Sequence, residues 1–260
     1  MSLNHRVAAM KSLNEALSRP CLTMADRDSR YGAILALTFQ ASAMPDALME
    51  FIVTMRGCMV IGSSLENVTD SLFGQYGAES WAECFKQMMP ADLNPRIDGT
   101  VLDDVSASLR VVAPLCQSVG ELTYLSQLER IVQLARTDVS EGMETPLYSK
   151  FFSSSFYLLT LPACLTSAMS FSLTNKMTDE EFASFASPDN YTAQILLAHF
   201  LVLDHIIETW TFGSKCLPYP FKREISLLWV ENIAAKLPSS CRKYMVWPVG
   251  NIAALRELAI

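Results

Sequence analysis

Residues 28–62 decide the fold, and they read DSRYGAILALTFQASAMPDALMEFIVTMRGCMVIG. Two apolar segments of helical length flank a Met-Pro-Asp hinge at residues 44–46, and we expect Pro45 in the first turn of the second helix. In that helix Leu48, Ile52, Met55 and Met59 recur at helical spacing. The stretch therefore predicts a helical hairpin, one face of which carries flexible side chains suited to an irregular apolar partner.

The composition extends this prediction to the whole chain. Half of the 260 residues are hydrophobic, only 10 are glycine, and the mean hydropathy is +0.22. Few β-branched runs occur, so we predict an all-α fold with largely interior helices. We expect residues 1–260 to form a single domain, an irregular bundle of roughly ten helices.

The periodicity places the helices. Beyond the hairpin helices (Asp26–Ala43, Pro45–Ile61), the predicted elements are Ser2–Ser18, Leu102–Arg136 with breaks at Pro114 and Gly120, Thr145–Phe171, Asn190–Gly213 capped by Ser187–Asp189, Phe221–Leu237 and Trp247–Ile260. Thr178 and Glu181 have the spacing of a capping box. Leu65–Thr100 holds three glycines and two prolines, which predicts short helices and a surface excursion.

A membrane-spanning helix is not predicted, since a span needs roughly 20 uninterrupted apolar residues. The best candidates are Ile195–Leu203, which His199 interrupts, and Phe151–Leu165, which contains three serines and Pro162. The N-terminal segment is amphipathic and unlike a signal peptide. We therefore expect an intracellular protein.

Charge and cysteine content exclude further classes. The net charge is −7 and the Lys and Arg residues are dispersed, so we expect no direct binding of nucleic acid. The seven cysteines are scattered without a CxxC pair. This pattern predicts reduced core thiols, and neither a metal site nor a disulfide framework.

Four stretches resemble a known family. They are FQAS, EF and RGC within residues 39–58, HRVAAMKSLNEAL at residues 5–17, NYTAQILLAHFLVLDHIIETW at residues 190–210, and YMVWPVGNI at residues 244–252. Together they resemble the C-terminal regulatory domain of fungal zinc-cluster transcription factors of the sterol-uptake-control type. The six-cysteine zinc cluster that defines those factors has no match in this chain.

The resemblance implies a function and a site. It implies a ligand-sensing domain that controls transcription, moves between cytoplasm and nucleus, and forms a homodimer. The segment Tyr191–His199 would contribute to a sterol pocket, with Ala193 and Ala198 where the ligand approaches closely. The apolar stripe of Leu109, Val112, Leu115, Val119, Leu122, Leu125 and Leu128 is one possible dimer contact.

Helical spacing predicts the remaining pocket residues. The pocket would be bounded by the helices that begin near Pro45, Thr145 and Asn190. Its expected lining is Met55, Met59, Phe152, Phe156, Ala193, Leu196, Leu197, Ala198, His199 and Phe200. The alternative is a plastic helical core without a pocket.

Histidine at position 199 has two interpretations. It could orient the hydroxyl of a ligand inside an apolar pocket, or it could be a core histidine bonded to a backbone carbonyl. Nearby, His205 and Glu208 are three residues apart on one helix, a spacing that can serve a metal site in a helix bundle. Because the sequence offers no matching second motif, we interpret Asp204, His205 and Glu208 as a solvated helix end with local ion pairs.

An enzyme is the alternative from another class. Asp103 and Asp104 could hold Mg²⁺ against a diphosphate, with His199 as a further polar group. The substrate would then be a terpenoid or polyketide intermediate. In the alternative, purely structural interpretation the two aspartates lie near a helix N-terminus, where negative charge is favourable.

The sequence thus favours a sensor of a hydrophobic, sterol-like molecule that acts by shifting the population of helix packings. A cyclase-like enzyme and a dimerisation scaffold without a ligand are the two alternatives.

Overall fold

The computed structural model describes residues 3–63, 70–73, 98–137, 174, 177–212 and 220–257. In these ranges the chain forms nine α-helices and no strand. They are α1 (Leu3–Leu17), α2 (Met24–Ser42), α3 (Leu48–Ser63), α4 (Gly99–Val112), α5 (Val119–Thr137), α6 (Asp179–Phe185), α7 (Tyr191–Phe212), α8 (Pro220–Lys236) and α9 (Val246–Glu257). The 3₁₀ turn Ala113–Leu115 lies between α4 and α5, and the 3₁₀ turn Arg242–Met245 lies between α8 and α9.

The all-α prediction is confirmed. Predicted and observed boundaries of α1, α2 and α8 differ by two residues or fewer, which is within the usual uncertainty of helix ends. The predicted helix over 145–171 and most of the irregular segment 65–100 lie outside the described residues.

The hairpin of α2 and α3 forms where residues 28–62 predict it. Thr23 caps α2 in a capping box with Asp26. The expected position of Pro45 is wrong, because α3 begins three residues later, at Leu48, and Pro45 lies in the preceding turn. Ala47 instead accepts the first helical hydrogen bond, from the amide of Phe51 at 2.8 Å.

The two hairpin helices are in close contact at Gly57. A Cβ atom at this position would overlap the terminal Cδ1 methyl of Ile34, which is buried on α2. One helical turn after Ile34 on α2, Thr38 Oγ1 lies 3.3 Å from the buried Sγ of Cys58, the residue that follows Gly57. Burial raises the pKa of the Cys58 thiol to about 12, so the thiol stays protonated and packs as a small apolar group.

We expect Gly57→Ala to destabilise the protein by about 1 kcal/mol, because the overlap with Ile34 outweighs the better helix propensity of alanine. At Gly250 on α9, a Cβ atom would meet no other atom within 4 Å, so Gly250→Ala should stabilise the protein by about 0.5–1 kcal/mol. Urea denaturation followed by circular dichroism measures both effects. Ile34→Val removes the overlapping methyl, so Gly57→Ala should lower the free energy of unfolding by less in the Ile34→Val background than in the unmodified chain. If Gly57→Ala lowers it equally in both backgrounds, the close contact is contradicted.

Arg56, next to Gly57, ties α3 to the start of α6. Its guanidinium donates to the carbonyl oxygen of Thr174, to that of Met177 at 2.9 Å and to Asp179 Oδ1 at 2.8 Å. It also lies 4.4 Å from the centre of the Phe182 ring. One side chain, only 11% exposed, thus connects parts of the chain more than 100 residues apart.

The predicted segment Leu102–Arg136 is divided at Pro114, as expected. Pro114 lies in a 3₁₀ turn between α4 and α5, whereas Gly120 lies inside the first turn of α5. The continuous apolar stripe is wrong. Val119 and Leu122 are exposed, whereas Leu109, Val112, Leu125 and Leu128 are buried inside the chain and cannot form a dimer contact.

Helix α7 is the centre of the bundle and packs against α4, α5, α8 and α9. The capping box of Thr178 and Glu181 before α6 is confirmed. The predicted cap of α7 is wrong by one residue, since Asn190 Oδ1 accepts from the amide of Ala193 at 2.9 Å. None of the described helices combines the length and apolar character that a bilayer span requires.

Candidate functional site

A cleft of about 260 Å³ opens where the ends of three elements meet. The elements are the turn before α3 with the first residues of α3, the start of α7, and the C-terminal half of α8. The residues that line it are Pro45, Asp46, Leu48, Met49, Pro188, Tyr191, Gln194, Trp229, Asn232, Ile233 and Lys236.

Two hydrogen bonds fix the wall formed by α8 and the α2–α3 turn. Trp229 Nε1 donates to the Met44 carbonyl at 2.8 Å, and Asn232 Nδ2 donates to the Pro45 carbonyl at 2.7 Å. The Trp229 ring also packs against Phe51, with ring centres 5.4 Å apart. Because both turn carbonyls are bonded within the chain, this wall needs no further partner to satisfy its backbone groups.

The opposite wall is the first turn of α7. Gln194 Nε2 donates to the Pro188 carbonyl at 2.6 Å, which holds the preceding turn against the helix. Asn190 caps the helix and its Nδ2 donates to Glu121 Oε1 on α5 at 3.0 Å. Tyr191 remains 39% exposed at the mouth of the cleft.

The lining combines an apolar floor with a charged rim. Leu48, Trp229 and Ile233 are buried, whereas Asp46 and Lys236 are exposed on different elements. An apolar body with a polar group at one end fits this arrangement, since ligand sites are mostly apolar with few orienting groups.

The predicted ligand-binding residues that the structure describes do not line this cleft. The side chains of Met55, Met59, Ala193, Leu196, Leu197, Ala198 and Phe200 are buried in the hydrophobic core with at most 6% exposure. None of them lines the cleft. Phe152 and Phe156 lie outside the described residues. The cleft does involve the predicted α3 and α7 segments, but at their N-terminal ends and with α8 as the third wall.

His199 is fully buried with both ring nitrogens bonded inside the chain. Nδ1 lies 2.8 Å from the Ile195 carbonyl oxygen and Nε2 lies 2.7 Å from Ser108 Oγ. Because a carbonyl oxygen only accepts, Nδ1 carries the proton and Nε2 accepts from the serine. The ring stacks on Trp247 at 5.5 Å, and burial lowers the pKa of His199 to about 4. The geometry is that of a core histidine bonded to a backbone carbonyl.

The two candidate magnesium ligands are on the surface of α4. Asp103 is 71% exposed and pairs with Arg136 at 2.7 Å, and Asp104 is exposed. No group of three or more His, Cys, Asp or Glu side chains suited to a metal occurs among the described residues. The interpretation of Asp204 and His205 as a solvated helix end is wrong, because α7 is enclosed on several sides and both residues are buried.

The α8 residues of the cleft were not predicted from the sequence. Trp229, Asn232, Ile233 and Lys236 recur at the i, i+3, i+4, i+7 spacing of one helix face, and a tryptophan beside an asparagine on that face was the available signal.

Comparison of the chain with protein-family models, curated proteins and solved structures gives no match.

Proposed function

We propose that this chain is a regulatory domain that senses a hydrophobic, sterol-like small molecule and thereby controls transcription. The observation that carries the proposal is the pre-formed cleft at the junction of α3, α7 and α8. The resemblance of residues 39–58, 190–210 and 244–252 to sterol-responsive zinc-cluster factors supports the regulatory role.

The size of the cleft defines what it accepts. Sites that enclose a drug-sized ligand are typically about 300–1,000 Å³. At about 260 Å³, the cleft suits one end of a ring system, whose remainder would lie across the exposed Tyr191. Contact with Trp229 and Ile233 would supply apolar burial at roughly 25 cal/mol per Å². Lys236 or Asp46 would orient a polar group at the rim.

The proposed mechanism is a population shift. A ligand in the cleft contacts the α2–α3 turn, α7 and α8 at once, so it stabilises the packing in which these three elements meet. Its loss favours packings that expose a surface for a transcriptional partner. The domain would act in the cytoplasm and nucleus as a homodimer, through exposed residues such as Val119 and Leu122.

Sterol binding is tested by thermal unfolding with a sterol delivered from cyclodextrin. Saturation at about a hundredfold excess over Kd should raise the unfolding midpoint by about 5 °C or more. Lys236→Trp places a large side chain at the mouth of the cleft without removing a core residue, and should abolish the shift. Lys11→Trp changes an exposed lysine of α1 outside the cleft and is the matched control.

Two outcomes would contradict the proposal: no shift with the unmodified chain, or an equal shift in both tryptophan variants. A change in tryptophan fluorescence on addition of the sterol that is absent from Trp229→Phe provides an independent readout of occupancy at this wall, since the chain has four tryptophans. Ala193 is unsuitable for such a blocking substitution, because its side chain is fully buried and a tryptophan there would disrupt the core.

A further inference from the structure

Two buried polar groups on α5 lack hydrogen-bond partners. The Tyr124 hydroxyl and Gln127 Oε1 are inaccessible to solvent, and within the described structure neither has a hydrogen-bond partner. The Tyr124 side chain is fully buried, and Gln127 is 9% exposed. Buried polar groups are almost always bonded, so two such groups one helical turn apart indicate an occupant.

The surroundings of Tyr124 are mainly aromatic. Its ring centre lies 5.0 Å from that of Phe185 on α6 and 6.4 Å from that of Phe200 on α7. Asp204, four residues after Phe200 on the same face of α7, is buried near enough for its charge to act on Tyr124. The groups that act on Tyr124 are thus two aromatic rings and one carboxylate.

The unpartnered atoms define the chemistry of the occupant. Burial, the larger cause, and the charge of Asp204 hold the pKa of Tyr124 well above its usual value. The hydroxyl therefore keeps a proton that it can donate. Gln127 Oε1 can only accept. The occupant must therefore donate a hydrogen bond to Gln127 Oε1, and it can accept one from the Tyr124 hydroxyl. An anion cannot donate, and the nearby carboxylate repels it.

We propose that Tyr124 and Gln127 together bind a neutral hydroxyl group, supplied by an internal water or by a small organic alcohol. This site does not depend on the proposed sterol cleft, because neither residue lines that cleft.

The test is a double-mutant cycle with Tyr124→Phe and Gln127→Met, which remove the polar atoms but keep the side-chain volumes. Each substitution should lower the thermal unfolding midpoint by about 2–4 °C. The midpoint of the double variant should fall by less than the sum of the two single decreases, because either substitution alone already releases the shared hydroxyl. Tyr244→Phe, at a partly exposed tyrosine, is the control and should change the midpoint little.

If the site were dry, removal of an unpartnered polar atom would leave the midpoint unchanged or raise it. That result, or strictly additive effects, would overturn the proposal. Comparison of natively purified protein with protein refolded from guanidinium identifies the source. Coupling that survives refolding indicates water, whereas coupling lost on refolding indicates an organic alcohol, which mass spectrometry of a solvent extract would then detect.

Discussion

Replacing Arg56 with alanine should lower the free energy of unfolding by about 3 kcal/mol. The substitution removes charge-assisted hydrogen bonds to the carbonyls of Thr174 and Met177 and to Asp179, together with the contact to the Phe182 ring. The ion pair alone contributes little, because Asp179 is 99% exposed. Most of the effect should come from the two carbonyls and the ring.

Urea denaturation of three variants separates these contributions. Asp179→Asn should cost less than about 1 kcal/mol, because it affects only the exposed pair. Arg56→Lys keeps the charge but lacks the planar guanidinium that reaches several acceptors at once. Its loss of unfolding free energy should therefore lie between those of Arg56→Ala and Asp179→Asn. Arg242→Ala, at an exposed arginine, is the control. An effect of Arg56→Ala no larger than that of Asp179→Asn would contradict the role of the carbonyls.

Acidification should destabilise the protein through His199 by about 3 kcal/mol between neutral pH and pH 4. The pKa of His199 is about 4 in the folded chain, against 6.5 for an ordinary histidine. The unfolded chain therefore binds the proton first as the pH falls. The stabilisation is complete above about pH 6.5, declines by about 1.4 kcal/mol per pH unit below it, and is lost by about pH 4.

The His199 contribution is measured by urea unfolding at several pH values in the unmodified chain and in His199→Gln. Carboxylates that titrate toward pH 4 are common to both proteins, so the difference between the two curves isolates the histidine. The curves should converge as the pH falls from 6.5 to 4. Parallel curves would show that the buried ring does not resist protonation. Ring proton chemical shifts in an NMR titration should also stay constant above about pH 5.

Local sequence signals predicted the helices well. The Thr178–Glu181 capping box depends on residues three apart, so its formation follows from local chemistry alone. Pro45 shows the limit of this reasoning. Proline suits a first helical turn, but here Trp229 and Asn232 bind the carbonyls of Met44 and Pro45 and favour a turn instead. Such long-range bonds have no signature in a local window.

The candidate site was predicted less well for the same reason. The sequence pointed to α3 and α7 because they are strongly apolar, but strong apolarity places a residue in the core as readily as in a pocket. Ala193, Leu196 and Leu197 are fully buried, whereas the cleft uses the less apolar Tyr191 and Gln194 of the same helix. Which helix ends leave a gap depends on how α8 packs, and no single segment encodes that.

The bonds from α8 to the α2–α3 turn also constrain the order in which this protein matures during synthesis. Trp229 and Met44 are 185 residues apart, and Asn232 and Pro45 are 187 apart. A nascent chain on the ribosome can form the first hairpin early, but its turn carbonyls stay hydrated until α8 has emerged. Closure over such distances is slow and comes late. Chains arrested before residue 229 should therefore expose the region around Phe51 to chaperones and proteases. In the complete, folded chain this region is covered.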